Sequence, residues 1–309
     1  MSDFLIGTGG WAYFQIPDIN PLEAYSRAFN FVEVNSTFYE IPKMKMVESW
    51  RKKVPEDFEF SVRCNKFLTH ELMFESVPEA FEILDTMVRI CETLKAEIIH
   101  FQTPPSFTSN KINGNKVKDF FKSTKLNNLR IALEIRSPTP LEPSFVKTIH
   151  DLNIIHCVDL LKGIKSAYQS DILYTRLFGK GYHKIYQPLD NELKQIDKAA
   201  SKEDIKKAVI TIHSNRMFKD AARFKIYKET GEFPMVTKST GINALAEVLK
   251  EDARFPSNKT ELLNHQGWKI IDLTPNKRVH ASDILQKLPE KTYNSIDDIV
   301  QTLGEHNFE

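Results

Sequence analysis

The sequence predicts an α/β protein, a (β/α)8 TIM barrel followed by a small appended C-terminal α+β domain. Eight short apolar runs rich in β-branched residues alternate with longer amphipathic runs, the order expected of parallel strands joined by helices. The apolar runs are hydrophobic over nearly their whole length, as strands covered on both faces are. The 309 residues exceed by roughly 60 the approximately 250 that such a barrel needs. The alternative, a doubly wound open sheet, usually has fewer strands, about five to seven.

Each predicted element follows from a local pattern. We predict strands at residues 4–7, 31–34, 58–62, 97–101, 130–135, 154–159, 172–177 and 208–212. Between them, apolar residues at three-to-four spacing predict helices at residues 77–94, 117–122, 140–152 and 217–228.

The alternation stops near residue 230, where ETGEFPMVTKSTG is rich in turn residues. Helices are predicted beyond it at residues 242–249, 260–264 and 295–303. Ser257 or Asn258 is placed to cap the second of these, and Ser295 to cap the third. We therefore predict two domains, a barrel at residues 1–238 and a small C-terminal domain of unknown role at residues 239–309.

Composition excludes several classes of protein. Hydrophobic residues make up 41% and charged residues 27%, an ordinary globular balance, and the net charge of +1 indicates no particular partner. The three cysteines are far apart in sequence, which argues against a disulfide framework and fits a reducing compartment. No run approaches the ~18 apolar residues of a membrane span, and the N-terminus lacks a basic leader. A cytoplasmic protein that does not bind membranes is expected.

Polar residues end every predicted strand from the second to the eighth, the edge of a barrel where active sites lie. In chain order these residues are Glu33 and Asn35, Arg63 and Lys66, His100 and Gln102, Glu134 and Arg136, Asp159, Arg176, and His213 and Asn215. Unpaired buried charges are costly. We therefore expect the acids Glu33, Glu134 and Asp159 to pair with the bases Lys66, Arg136 and Arg176.

Several stretches resemble the DUF72 family, also called YecE-like: IGTGGWAY, FNFVEVNSTFY, FEFSVRCNKFLTH, FQTPPSF, ALEIR and YTRLFG, together with Trp50. The resemblance extends over about residues 4–228. It implies a TIM barrel with a distant similarity to endonuclease IV and xylose isomerase, and hence work on nucleic acids or phosphoesters. The chain departs from the family pattern at three strands. Ser137 and Phe178 stand where the family commonly has histidine, and His213 is new.

The strand ends supply candidate site residues. Lys66, Arg136 and Arg176 can converge on a phosphate or carboxylate, with each arginine offering a bidentate fork. Aromatic residues near the same edge can stack on a base or sugar. The candidate catalytic residues are Glu33, His70, Glu134 and Asp159. The candidate substrate-binding residues are Trp11, Asn35, Tyr39, Lys66, Gln102, Arg136, Arg176 and Asn215.

No residue is assigned as a metal ligand. Binding of a divalent metal stays an open alternative, because the chain has residues of the types that bind metals: Glu33, His70, His100, Glu134, Asp159 and His213. Fixed cations at the same strand ends oppose a multi-metal cluster electrostatically. No cofactor is firmly implied.

Three functions remain open. The leading one is a hydrolase or lyase acting on a phosphate-bearing small molecule or a nucleic acid, nuclease-like by the distant similarity to endonuclease IV. The second is a metal-independent lyase or isomerase of a small sugar or carboxylate. The third is a non-catalytic adaptor for nucleic acid or protein, with the C-terminal domain recruiting an unknown protein partner.

Overall fold

The computed structural model describes residues 3–180 and 185–304, which fall into two compact units. The first unit contains the described residues up to Leu177, together with Lys198–His213. The second contains the described part of Phe178–Asp197 and the residues from Ser214 onward. The predicted boundary at residue 238 stays a prediction.

All eight predicted strands form, and all of them are parallel, which confirms the α/β class. They are β1 Asp3–Thr8, β2 Phe31–Val34, β3 Glu59–Arg63, β4 Ile98–Gln102, β5 Arg130–Glu134, β6 Ile155–Cys157, β7 Ile172–Leu177 and β8 Lys207–Ile212. One sheet has the order β1-β8-β7 and the other the order β2-β3-β4-β5-β6. Parallel strands have all their carboxyl ends at one edge, so the polar strand ends of each sheet lie together.

Helices connect most of these strands. They are α1 Pro21–Ala28, α2 Met44–Lys52, α3 Pro78–Leu94, α4 Lys111–Lys122, α5 Pro143–Asp151, α6 Asp190–Ala200 and α7 Met217–Thr230. Proline opens α1, α3 and α5, where its missing N–H has no helical partner in any case. Asn20 and Asn110 cap α1 and α4 through their side chains. Single turns follow β2, β3 and β6 at Ser36–Phe38, Phe67–Glu71 and Leu160–Lys162.

Direct contacts join the edges of the two sheets. The Tyr25 hydroxyl of α1 accepts a hydrogen bond from the Thr8 amide of β1 (3.1 Å) and donates one to the Phe31 carbonyl of β2 (2.9 Å). At the other edges, Val158 exchanges backbone hydrogen bonds with β7, its amide donating to the Tyr174 carbonyl and its carbonyl accepting from the Arg176 amide.

The remaining elements belong to the second unit. They are α8 Gly241–Asp252, β9 Ser257–Asn258, α9 Lys259–Gln266, β10 Ile270–Thr274, β11 Lys277–His280, α10 Ala281–Leu285, β12 Thr292–Tyr293 and α11 Ile296–Gly304. Strands β10 and β11 pair antiparallel, as do β9 and β12. Asn258 rather than Ser257 caps α9, in a capping box with Glu261, and the Ser295 hydroxyl caps α11 as predicted. In the described ranges, no helix combines the length and the apolar character that a membrane crossing requires.

Candidate functional site

A buried cluster of charged and polar side chains lies at the carboxyl ends of the strands of the first unit. Its members come from five strands and from the residue after a sixth: Glu33 of β2, Arg63 of β3, His100 and Gln102 of β4, Glu134 of β5, Arg176 of β7, and His213 after β8. Glu33, His100 and Arg176 are at most 1% exposed. We call this set the mouth cluster.

Arg176 is the centre of the mouth cluster. Its Nε and Nη2 donate to Glu33 Oε1 at 3.2 and 3.0 Å, and its Nη1 donates to Glu134 Oε2 at 2.6 Å. Burial would lower the pKa of this guanidinium, but the two carboxylates raise it above its usual value. Arg176 therefore stays charged and joins β7 to strands β2 and β5.

Glu33 is fully enclosed by other side chains. Its Oε2 accepts from the Tyr174 hydroxyl at 2.8 Å, and that hydroxyl also lies 2.8 Å from the Ser61 hydroxyl. Its Oε1 lies 3.3 Å from His213 Nε2. The Glu33 carboxylate can end a core strand because the side chains that contact it are hydrogen-bond donors or cations. Glu33 is thus a buried support for the side chains around it.

Gln102 joins three guanidinium groups. Its Oε1 accepts from Arg63 Nη2 at 2.8 Å, from Arg176 Nη1 at 3.0 Å and from Arg136 Nη2 at 3.2 Å. A neutral amide oxygen satisfies donors without cancelling their charge. Gln102 therefore holds three arginines together while leaving their positive charge intact.

Arg63 differs from the other two arginines because its partners are neutral. Its Nη1 donates to Asn35 Oδ1 at 2.6 Å, and its guanidinium lies 3.4 Å from the centre of the Phe38 ring. Over residues 3–180 and 185–304, Arg63 has no carboxylate within ion-pair distance, and its buried Nε has no acceptor. Burial and the charge of Arg176 lower the pKa of Arg63 to about 10, so it remains a cation at neutral pH.

The turn after β2 positions the ring under Arg63. The Thr37 hydroxyl contacts the carbonyls of Val34 (3.0 Å) and Arg63 (2.6 Å), so the end of β2 is fastened to the end of β3. Asn65 Nδ2 donates to the Thr37 carbonyl at 3.0 Å and strengthens the same link. Phe38 follows directly, and its ring is therefore placed against the Arg63 guanidinium.

The two carboxylates of the mouth cluster are strong acids. Burial opposes ionisation of Glu33, but Arg176 and His213 hold its pKa well below 4.5. Burial opposes ionisation of Glu134 as well, and Arg176, His100 and Arg136 likewise hold its pKa far below 4.5. Arg136 Nε lies 2.5 Å from Glu134 Oε1. Neither carboxyl can donate a proton near neutral pH.

The histidines of the site are neutral bases. Burial and the charge of Arg176 lower the pKa of His100 and of His213 to about 4. Burial, then the charge of Arg63, lowers the pKa of His70 below 6.5. His70 is partly exposed, and its Nδ1 lies 2.8 Å from the Thr69 hydroxyl. This contact fixes the ring so that the other nitrogen is the one available to a ligand.

One trio in the described ranges has the residue types of a metal site. One ligand atom each from His100, Glu134 and Cys157 lies within 4.8 Å of the others. The same Glu134 oxygen atoms contact Arg136 and Arg176, and burial raises the pKa of the Cys157 thiol well above 9.0. A cation at this trio would be repelled by two guanidiniums, so these residues fit a metal poorly.

The structure brings together six of the predicted site residues: Glu33, Asn35, Gln102, Glu134, Arg136 and Arg176. His70 lies at their border, with its ring centre 5.2 Å from that of Phe38, and Tyr39 packs against Phe38 at 5.1 Å. The expected ion pairs of Glu33 and Glu134 form with arginines.

The other predicted residues have different surroundings. Lys66 is exposed and has no ion pair within the ranges that the structure describes. The Asp159 carboxylate caps the turn at Leu160–Lys162 by accepting from the Leu161 amide at 3.1 Å. Trp11 packs edge-on against Trp50 at 5.3 Å. Asn215 is exposed and belongs to the second unit.

Four members of the network were not among the predicted site residues: Arg63, His100, Tyr174 and His213. Three of them stand at strand ends, and that position was a usable signal in the sequence. Tyr174 lies inside an apolar run, where its role as a donor to Glu33 had no local signal.

Comparison with known proteins identifies the family. The family model described as "Protein of unknown function DUF72" matches residues 5–228, more than two thirds of the chain. The chain therefore belongs to the DUF72 family, as its sequence resemblance indicated.

Two curated relatives show sequence similarity. The UPF0759 protein YunF of Bacillus subtilis is 30% identical over 129 residues, 40% of this chain and 45% of YunF. The UPF0759 protein YecE of Escherichia coli K12 is 40% identical over 53 residues, 17% of this chain and 20% of YecE. The chain thus spans less than half the length of each of these relatives.

Two solved structures have a fold similar to that of this chain. A DUF72 family protein of Thermotoga maritima superposes with a TM-score of 0.60 at 19% identity, covering 74% of this chain and 99% of that one. A DUF72 family protein of Enterococcus faecalis gives 0.57 at 18% identity, covering 75% and 99%. At these identities the likeness concerns the fold alone.

Proposed function

We propose that this DUF72 protein is an enzyme that binds a phosphate- or carboxylate-bearing substrate at the mouth cluster and acts on it by acid–base chemistry. The observation that carries the proposal is the uncompensated charge of Arg63. Together with Arg136, which contacts Glu134 and Gln102, the mouth cluster contains three guanidiniums and two carboxylates, while its histidines are neutral. The net charge of +1 is therefore located mainly on Arg63, the arginine whose partners are neutral.

A buried guanidinium without an anionic partner is costly unless a ligand supplies the anion. Arg63 is 5% exposed, and its Nε lacks an acceptor within the described ranges. Guanidinium groups match the oxygen pairs of phosphates and carboxylates. An anionic group of the substrate would complete both the charge and the hydrogen bonding of Arg63.

The acid–base role falls to histidine. Glu33 and Glu134 are held ionised by Arg176, so they orient other groups more readily than they exchange protons. His70 is neutral, half-buried and electrostatically close to Arg63. A neutral imidazole can take a proton from a substrate that is held by its anionic group. Since guanidiniums contact both oxygens of Glu134, this chemistry is proposed to need no divalent metal.

We also propose that the eight strands close into a barrel. Lys207 of β8 supports this, since its Nζ lies 2.9 Å from Glu59 of β3 and 2.8 Å from Glu97, just before β4. The Tyr25 hydroxyl bridges β1 and β2, and Arg176 of β7 bonds Glu33 of β2 and Glu134 of β5. In a flat open sheet these strands would be too far apart for such contacts.

Binding of anionic probes to the full chain tests the function. Titration calorimetry with ribose 5-phosphate and inorganic phosphate would compare the wild type with Arg63→Met and with the matched control Arg130→Met, at the opposite end of the strands. We expect Arg63→Met to weaken binding by ~10- to 100-fold, the loss of a charge-assisted hydrogen bond worth about 1.5–3 kcal/mol. The control and a chelator should change nothing. Equal binding by both variants would remove the assignment of Arg63.

A further inference from the structure

We infer that the substrate carries a planar aromatic ring, a nucleobase-like heterocycle, next to its anionic group, and that Tyr39 binds this ring. The inference rests on the proposed function, because it uses Arg63 as the anion site. It adds the chemical class of the remainder of the substrate.

The exposed aromatic residues of this protein are concentrated at one place. Across residues 3–180 and 185–304, the tyrosine, phenylalanine and tryptophan side chains that are exposed are Tyr13 (83%), Phe67 (45%) and Tyr39 (65%). They follow β1, β3 and β2 in the connections from the carboxyl ends of these strands. Arg63 is the last residue of β3. All three exposed rings therefore belong to the connections that lie at the same strand ends as the proposed anion site.

Tyr39 is joined to Arg63 through one intermediate ring. The Phe38 ring has the Arg63 guanidinium over its face at 3.4 Å, and the Tyr39 ring packs against it at nearly a right angle (88°). The guanidinium of Arg63 is also close enough to Tyr39 for the two to interact electrostatically. An anion on Arg63 therefore lies within about one side-chain length of an exposed aromatic face.

His70 contacts the same intermediate ring, again edge-on, at 5.2 Å. Phe38 thus has a cation on its face and both a neutral base and an exposed tyrosine beside it. A ligand with its anion on Arg63 and its ring on Tyr39 would present the atoms between them to His70. The order of these side chains matches a molecule with a ring, a short linker and an anion.

The charge of the neighbourhood decides among possible occupants. A purely apolar partner would leave Arg63 unpaired, and Lys66, three residues further along the chain, adds a second cation that is exposed. An aliphatic phosphate would satisfy Arg63 but leave the Tyr39 ring in water. A heterocyclic phosphate satisfies both, since exposed aromatic rings beside cations are the arrangement that binds bases and phosphates together.

Binding of nucleoside monophosphates tests the inference. The probes are AMP, CMP and ribose 5-phosphate, which share the ribose and its phosphate, while only the first two carry an aromatic base. The proteins are the wild type, Tyr39→Phe, Tyr39→Leu and Arg63→Met. We expect AMP and CMP to bind more tightly than ribose 5-phosphate to the wild type. Tyr39→Phe should retain this preference, and Tyr39→Leu should lose it through a roughly 5- to 150-fold weakening for the nucleotides alone.

The outcomes separate the two proposals. Equal binding of all three probes to the wild type, or unchanged nucleotide binding by Tyr39→Leu, would overturn the assignment of the ring while the anion site stands. If no probe binds, or if Arg63→Met binds all of them like the wild type, the proposed function itself fails.

Discussion

Replacing Arg176 by methionine probes the mouth cluster most directly, because it removes the cation that two buried carboxylates share. In the wild type, Glu33 and Glu134 are at most 6% exposed, and both accept hydrogen bonds from this guanidinium. Methionine fills much of the same volume without charge. The Arg176→Met variant therefore leaves two buried acids with one cation fewer.

The cost of this change is large compared with the stability of a domain. Removing one partner of a buried ion pair costs about 3–5 kcal/mol, against roughly 5–15 kcal/mol of total stability. Arg176 serves two carboxylates, so we expect the upper part of that range. With a denaturant slope of about 3 kcal/mol per molar urea, the midpoint of unfolding should fall by approximately 1.5 M.

The pH dependence should change sign. In the wild type, the pKa values of His100 and His213 are lowered from 6.5 to about 4, so the unfolded chain binds more protons and stability is lost as pH falls from 6.5 towards 4. Without Arg176, burial dominates at Glu33 and raises its pKa, while His213 loses a repelling cation. The folded variant then takes up a proton that the unfolded chain lacks. Its stability should fall as pH rises from about 5 to 8.

Urea unfolding followed by circular dichroism at pH 4.5, 6 and 7.5 measures both effects. Arg130→Met is the matched control, because Arg130 pairs with Asp171 while the two side chains are 25% and 40% exposed. Such a pair is worth about 0–1 kcal/mol, so its midpoint should move by less than roughly 0.3 M. Adding Glu33→Gln and Glu134→Gln to Arg176→Met should restore more than half of the lost stability. A loss below about 1 kcal/mol, or a stability that rises with pH as in the wild type, would refute the reasoning.

Three other predictions follow from single contacts. Gly9→Ala should displace His213, because an added Cβ would lie 2.1 Å from the ring, and should cost about 1–3 kcal/mol by thermal unfolding. Tyr25→Phe should cost ~1–3 kcal/mol, because a buried amide and a carbonyl on neighbouring strands lose their shared hydroxyl. His70 should titrate below pH 6.5 by NMR, and Arg63→Met should raise that pKa by removing a nearby cation.

Each of these predictions has its own control. Gly10→Ala, with no neighbour near its added Cβ but a backbone φ of 116°, separates backbone strain from the clash at Gly9. Unchanged His213 resonances in Gly9→Ala would contradict the close approach. A Tyr25→Phe protein as stable as the wild type would mean that water replaces the bridge. If the His70 pKa is the same in Arg63→Met as in the wild type, the two side chains are further apart than proposed.

The sequence predicted the strands well because their signal is local. Each of the eight apolar runs is long enough to be a strand and too short to be a helix, and the burial of both faces removes the polar alternation that would otherwise mark a one-sided sheet. The turn at Phe67–Glu71 was not predicted. Its residues FLTHE carry no proline or glycine, and its geometry depends on packing between elements that are distant in sequence.

The residue types of the site could be predicted from the sequence, but the depth at which each side chain is buried could not. Strand ends identified the acids, Gln102, Arg136 and Arg176, because position along a strand can be read from sequence. The depth of burial cannot be read from sequence, because it depends on how strands from two sheets face each other. Glu33 and Glu134 are both strand acids, yet the first is completely enclosed and the second is 6% exposed. The same limit hid Arg63, whose importance lies in the absence of a carboxylate partner within the described ranges.

Depth also decides which residues can meet a substrate. Glu33, Tyr174, Ser61 and His100 have no exposed surface, so a ligand at the strand ends contacts the residues above them. Glu33 bonds Arg176 and lies beside His213, and Arg176 in turn shares Gln102 with Arg63. A change at Glu33 would therefore reach a ligand through the position of Arg176 and the proton affinity of His213. The carboxylate that ends the second strand is best understood as a positioning residue, which holds one arginine in place so that the charge of another remains available.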